Sequence, residues 1–163
     1  MSSGQRKCAQ KNKMDLYRIK GYTLEGKKTK STIASGPVII RNQKVLLHKA
    51  PSTGKYQFVG GRLDDDLNPK TNAKYKPLVD LGLKVKIRED QDPLILLGTI
   101  QREGKQEHVV LIHYRGEIAE NAKPTKGKYG WYTLKEIKEL QKQNQLSSSN
   151  VMIASEYFLK HKK

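Results

Sequence analysis

Apolar positions gather in the middle of this chain and alternate there with polar ones. Pro37-Val38-Ile39-Ile40 and Val45-Leu46-Leu47-His48 flank the turn Arg41-Asn42-Gln43-Lys44, which predicts a hairpin. Pro51-Ser52-Thr53-Gly54 reads as a turn, and Tyr56 to Val59 as a short strand ending at Gly60-Gly61. Past the polar loop Arg62 to Leu67, Asn68 is placed to cap a helix with Pro69 at its first position, where a missing N–H costs nothing. Gly82 is the natural stop. Pro77 inside that span removes a backbone hydrogen bond, which predicts a short helix broken near Lys76.

Further strands are expected at Leu83 to Ile87, Leu94 to Arg102 and Glu107 to Ile118, with Asp92-Pro93 and Glu103-Gly104-Lys105 between them. The basic loop Lys123 to Gly130 then leads into Trp131-Tyr132. Thr133, with Glu136 three residues on, forms a capping box for a helix from Leu134 to about Gln143. After Ser147-Ser148-Ser149, Asn150 is the expected cap of a last helix, Val151 to Lys160, with Val151, Ala154, Tyr157 and Phe158 on one face.

At 163 residues the chain has the length of one domain with tails. We expect a basic arm over 1–30, holding one strand at Leu16 to Tyr22, and a folded domain over 31–163 that includes the C-terminal helix. The apolar runs fall far short of the roughly 20 residues that span a bilayer, so no membrane partner is expected. Met1 to Lys13 is basic and lacks the apolar stretch of a secretory signal, and Cys8 has no second cysteine to pair with. Both features predict a reducing, cytoplasmic location. The 32 Lys and Arg outnumber the 16 Asp and Glu, giving a formal charge of +16. Such a surface concentrates polyanions, which makes nucleotide or RNA the expected partner class.

The glycine pair, short loop, helix and closing glycine, set between strands, resemble the Nudix (MutT-like) family of pyrophosphohydrolases over about Pro37 to Leu140. With the first glycine of the family's box on Gly61, its last falls on Gly82 with no gap, and Tyr56, Phe58 and Trp131 occupy the family's aromatic places. The resemblance implies an α/β fold in which a mixed central β-sheet is sandwiched by α-helices. In an active member it also implies Mg²⁺ or Mn²⁺ as cofactor.

The residues that carry the family's chemistry depart from its pattern. Leu67 stands in the glutamate slot, Tyr75-Lys76 replaces Arg-Glu, and Val79-Asp80 replaces Glu-Glu, so Asp80 alone keeps a carboxylate there. Splitting a pyrophosphate calls for a hard cation held by oxygen ligands, and helix residues three and four apart turn such ligands to one place. Lys76 puts a positive charge among them and repels a divalent ion. We therefore expect a degenerate box that binds phosphate without metal through Gly60, Gly61, Arg62 and Lys76, with weak or no hydrolysis. The metal candidates are Asp80 and Asp64, the latter where the family often has an acid. The run Asp64-Asp65-Asp66 reads foremost as a polar loop ahead of a helix N-terminus.

Two other readings stay open. One is an active metal-dependent hydrolase of nucleoside-diphosphate-linked substrates, its ligands relocated to Asp64, Asp80 and Glu103 or Glu107. The other is a structural wedge within a larger assembly such as a ribonucleoprotein, anchored by the basic arm and the tail Lys160-His161-Lys162-Lys163. Lys123, Lys126 and Lys128 beside Tyr129, Trp131 and Tyr132 combine cations with aromatics, the chemistry of single-strand nucleic-acid binding. The same residues also suit a core tryptophan next to a solvated loop. His48, His108, His113 and His161 lack metal-ligand spacing, and His108 and His113, five apart on one strand, should face opposite sides.

Overall fold

The computed structural model describes residues 18–22, 28–63, 68–102 and 104–161. Strands β1 (Arg18–Tyr22), β2 (Lys28–Arg41), β3 (Lys44–Lys49), β4 (Tyr56–Gln57) and β5 (Gly61–Arg62) precede helix α1 (Pro69–Leu81). Then come β6 (Lys86–Ile87), β7 (Leu94–Arg102), β8 (Lys105–Glu117) and β9 (Tyr129–Tyr132), followed by α2 (Leu134–Lys142) and α3 (Asn150–Lys160).

The described strands form one mixed sheet of nine, organised by β2. Along one edge β2 pairs antiparallel with β1, β5 and β3 in turn, and along the other it runs parallel to β8 from Ser31 opposite His108 to Ile39 opposite Gly116. A parallel pair needs a crossover, and α1 lies within this one. The β2–β3 turn has positive φ at both Asn42 (54°) and Gln43 (65°), the backbone of a tight hairpin matched to strand twist. Strand β2 is longer than the alternating pattern predicts and runs without a break across Lys30.

Side chains alternate across the sheet and so build two cores. Ile39, Leu46, Val59, Leu83, Val85 and Ile87 pack with Ala73 and Leu81 of α1. On the other face Val38, Val45, Leu47 and Phe58 pack with Ile137 of α2 and Val151, Ala154, Phe158 and Leu159 of α3. The α/β sandwich expected from the sequence is the observed architecture.

Three local expectations need correction. Helix α1 is not broken near Lys76: it runs unbroken from Pro69 to Leu81, with Pro77 inside it and buried. Pro77 lies close enough to the C-terminus that only the Ala73 carbonyl loses its donor, and both ends are secured. Asn68 accepts from Thr71 N at 2.8 Å, while Gly82, at φ 63°, donates to Leu78 O and Leu83 N donates to Pro77 O. Helix α3 starts at Asn150 itself, after a Ser149 that makes no side-chain cap. Strands β4 and β6 are shorter than predicted: Phe58, Val59, Leu83 and Val85 are buried but lie outside the ladders. Leu16, Asp64 and Glu103 lie outside the described residues.

Candidate functional site

The site is built where two backbones cross. A Cβ on Gly60 would sit 2.8 Å from the Ser35 carbonyl oxygen, and one on Gly36 would sit 2.7 Å from that of Val59, so only glycine lets the strands approach this closely. The crossing sets the short β5 against β2, Gly61 opposite Ser35 and Arg62 opposite Ala34. Asn72, fully buried on α1, donates its amide to Ser35 Oγ at 3.0 Å and to the Gly61 carbonyl at 3.1 Å, while Ser35 Oγ donates to Pro69 O at 2.7 Å. Helix and glycine pair are thereby held in one register.

Lys76 is four residues beyond Asn72 and on the same face of α1. Its stem lies along Gly61: a Cβ there would be 3.6 Å from Lys76 Cε and 3.9 Å from Nζ. Half-buried Lys76 thus stands beside the glycine pair.

A cleft of about 850 Å³ opens at the other end of α1, lined by His48 and Lys49 of β3, Gln57 of β4, Asp80, Lys126 and Lys128. The loop that brings the lysines is tied down at both ends, Thr125 N donating to Leu81 O at 2.8 Å and Lys49 N to Lys128 O at 2.9 Å. Asp80 is exposed in this cleft amid cations. His48 lies 3.2 Å from the Gln57 amide through Nε2; burial lowers its pKa and the negative charge of Asp80 partly opposes that.

On the α3 side of the glycine pair lies a smaller cavity of about 220 Å³, lined by Gln57, Phe58, Gly60, Gly61, His113 and Asn150 among others. His113 is 6% exposed, and burial without a compensating charge lowers its pKa to about 4, so the imidazole is neutral at pH 7. Its Nε2 is 3.4 Å from the Asn150 amide, its ring meets Phe58 edge-on at 5.3 Å, and Nδ1 is buried with no hydrogen-bond partner among the described residues. A buried, unpaired polar atom in a cavity wall is ready for a ligand that satisfies it.

Of the residues predicted for the site, the fold brings Gly60, Gly61 and Lys76 together, with Arg62 next along β5. Asp80, Lys126 and Lys128 share the larger cleft, and Lys123 is exposed without lining it. Trp131 packs against the α1-side core, and the Arg41 guanidinium lies 4.5 Å from its ring centroid. His108 and His113 do face opposite sides, one exposed opposite Thr99 and one buried opposite Leu94. Glu107 sits five residues along β8 from Ile112, which pairs with the Ser35 that faces Gly61, a separation of roughly 16 Å at ordinary strand rise. It is buried and remote from the glycine pair. Sequence reasoning missed Asn72, Gln57, His113 and Asn150. The signal for Asn72 is a polar residue on the apolar face of a helix, beside Ala73.

The described residues do not fit a divalent-metal cluster: no three His, Cys, Asp or Glu side chains among them converge, Asp80 is the one carboxylate in the box's acidic slots, and Lys76 brings its charge to the glycine pair. No helix among them is long and apolar enough to cross a membrane.

No protein-family model and no curated protein matches the sequence. Solved structures do. A Nudix hydrolase from Nitrosomonas europaea is 16% identical, with a TM-score of 0.58 over 77% of this chain and 87% of that one. A MutT protein from Methanosarcina mazei is 15% identical, with a TM-score of 0.58 over 80% and 96%. An Ap4A hydrolase from C. elegans is 14% identical, with a TM-score of 0.55 over 77% and 95%. With the crossing at Gly60, the box helix against it and two covered sheet faces, these likenesses identify the fold of this chain as that of the Nudix hydrolases.

Proposed function

We propose that this chain is a Nudix-fold module that binds nucleotide or RNA phosphate through cationic side chains, without metal and with weak or no hydrolysis. The observation that carries this reading is the Lys76 ammonium beside Gly61, at the helix face where the family's pattern calls for acids. A fixed ammonium supplies a point charge for phosphate oxygens but generates no metal-bound nucleophile, so affinity survives and turnover does not. The neutral His113 and the Asn150 amide give the adjoining cavity polar groups suited to a flat heterocycle. Lys126 and Lys128 extend the positive field toward a longer polyanion.

The test is equilibrium binding of ADP and of 5′-triphosphorylated RNA in EDTA and in Mg²⁺. Binding should persist in EDTA, weaken about tenfold or more in Lys76→Ala, and for RNA fall steeply between 50 and 200 mM salt. Binding that needs Mg²⁺ and ignores Lys76→Ala overturns the reading.

The alternative, a metal-dependent pyrophosphohydrolase with relocated ligands, draws support from Asp80, which is exposed in the larger cleft next to His48. Turnover of nucleoside diphosphate derivatives or dinucleoside polyphosphates with Mg²⁺ or Mn²⁺, abolished by Asp80→Ala, would establish it.

A further inference from the structure

A third cavity, of about 310 Å³, lies apart from the glycine pair, under the end of α3. Ile40, Phe158 and Leu159 make its floor, and Gln43, Arg88, Gln91, Arg115 and His161 surround it. The two arginines are neighbours by register. Gly116 pairs with Ile87, and Arg88 N donates to Arg115 O at 2.9 Å, so Arg88 and Arg115 stand side by side on adjacent strands. Ile87 and Tyr114 pack in the α1-side core, so the residue after each turns to the α3 side.

Like charges directly opposite each other on a sheet are unfavourable unless an anion lies between or beside them. The acids nearby serve Arg88. Asp90 takes its Nε at 2.9 Å and its Nη2 at 2.5 Å, and Glu117 lies 3.5 Å from the same Nε. Among the described residues no such pairing compensates Arg115. It is half-buried, and its Nε is buried with no hydrogen-bond partner among the described residues. Burial and the charge of Arg88 both disfavour its protonated form, against a smaller contribution from Glu117. A guanidinium in this position is a planar donor fork facing a cavity with an apolar floor.

We propose that this cavity is a second binding site, separate from the glycine-pair site, for a small oxyanion carried on an apolar or aromatic body, with Arg115 gripping the carboxylate or phosphomonoester head. Ile40, Phe158 and Leu159 receive the body. Gln91, fixed by its amide's bond to His161 O at 3.1 Å, closes one side.

The test uses the full chain, labelled with ¹⁵N and observed at its arginine Nε–H resonances. The probes are inorganic phosphate, phenyl phosphate and benzoate. The Arg115 resonance should shift saturably, with phenyl phosphate saturating at about tenfold lower concentration than inorganic phosphate because its ring covers the floor. The tighter of phenyl phosphate and benzoate identifies the head group. Read at the neighbouring Arg88 Nε–H resonance, which lines the same cavity, Arg115→Gln should abolish the response to the probes, Arg115→Lys, which keeps charge and stem, should weaken it severalfold, and Lys76→Ala should leave it unchanged. No saturable shift with any probe overturns the proposal, as does a response carried by other resonances that survives in folded Arg115→Lys at full strength. Loss of the response in Lys76→Ala would assign the probes to the glycine-pair site and overturn it equally.

Discussion

The two faces of α1 show different kinds of constraint within thirteen residues. The inner face, Asn72, Ala73, Pro77 and Leu81, is buried throughout and holds both the core and the glycine crossing. The outer face leaves Tyr75, Leu78 and Val79 at 44%, 54% and 42% exposure. Packing tolerates little change in volume on the inner face, whereas outer positions are held by almost nothing. The buried positions therefore fix how the helix sits on the sheet, and the exposed ones leave that placement untouched. The helix keeps that geometry with Val79 exposed on its outer face and the half-buried Lys76 beside Gly61.

The largest effect that would break this contrast is expected at the core. Leu81→Ala, at 1% exposure, should cost about 2–5 kcal/mol in urea unfolding, because a cavity is left where the helix meets the sheet. A loss below about 1 kcal/mol would mean that the inner face is not the fold-determining one.

Next is an acid-linked loss centred on His113. Unfolded, the imidazole takes a proton near pH 6.5; folded, it resists until about pH 4. Its share of stability is therefore whole above pH 6.5, falls away between pH 6.5 and 4, and amounts to about 3 kcal/mol in all. His113→Gln should flatten that part of the stability–pH profile, and a filled cavity should depress the pKa further.

The smallest expected change in stability is at two box positions, Val79 on the outer face and Lys76 beside the glycine pair. Lys76→Glu with Val79→Glu should alter unfolding free energy by about 1 kcal/mol or less, since Val79 is exposed and Lys76 is half-buried. The same double variant surrounds Asp80 with the family's acids, and Mn²⁺ binding should appear by paramagnetic relaxation where the native chain shows little. Failure of Mn²⁺ to bind a folded double variant would show that more than side-chain identity separates this helix from a metal-binding one.

Much of this was legible in the chain because it depends on neighbours in sequence. The cap at Asn68, the stop at Gly82, the capping box at Thr133 and Glu136, and strand β7 from Leu94 to Arg102 each follow from a few adjacent residues, and each stands where those residues put it. The helix break expected at Pro77 failed for a tertiary reason: one lost hydrogen bond near a well-capped end is outweighed by burial of the ring.

Adjacent residues also sufficed to place the glycine pair 21 residues ahead of the closing Gly82 and to show a lysine where acids were expected. They could not say where that lysine goes. The meeting of Gly60 with Gly36, the approach of Lys76 to Gly61, the convergence of His113 on Asn150 and the pairing of Arg88 with Arg115 all join positions far apart along the chain or set by strand register. Local propensities carry no record of such contacts. They exist only once β2 has paired with β8 and the helices have covered both faces, because burial and register then decide which polar groups meet and which are left facing a cavity.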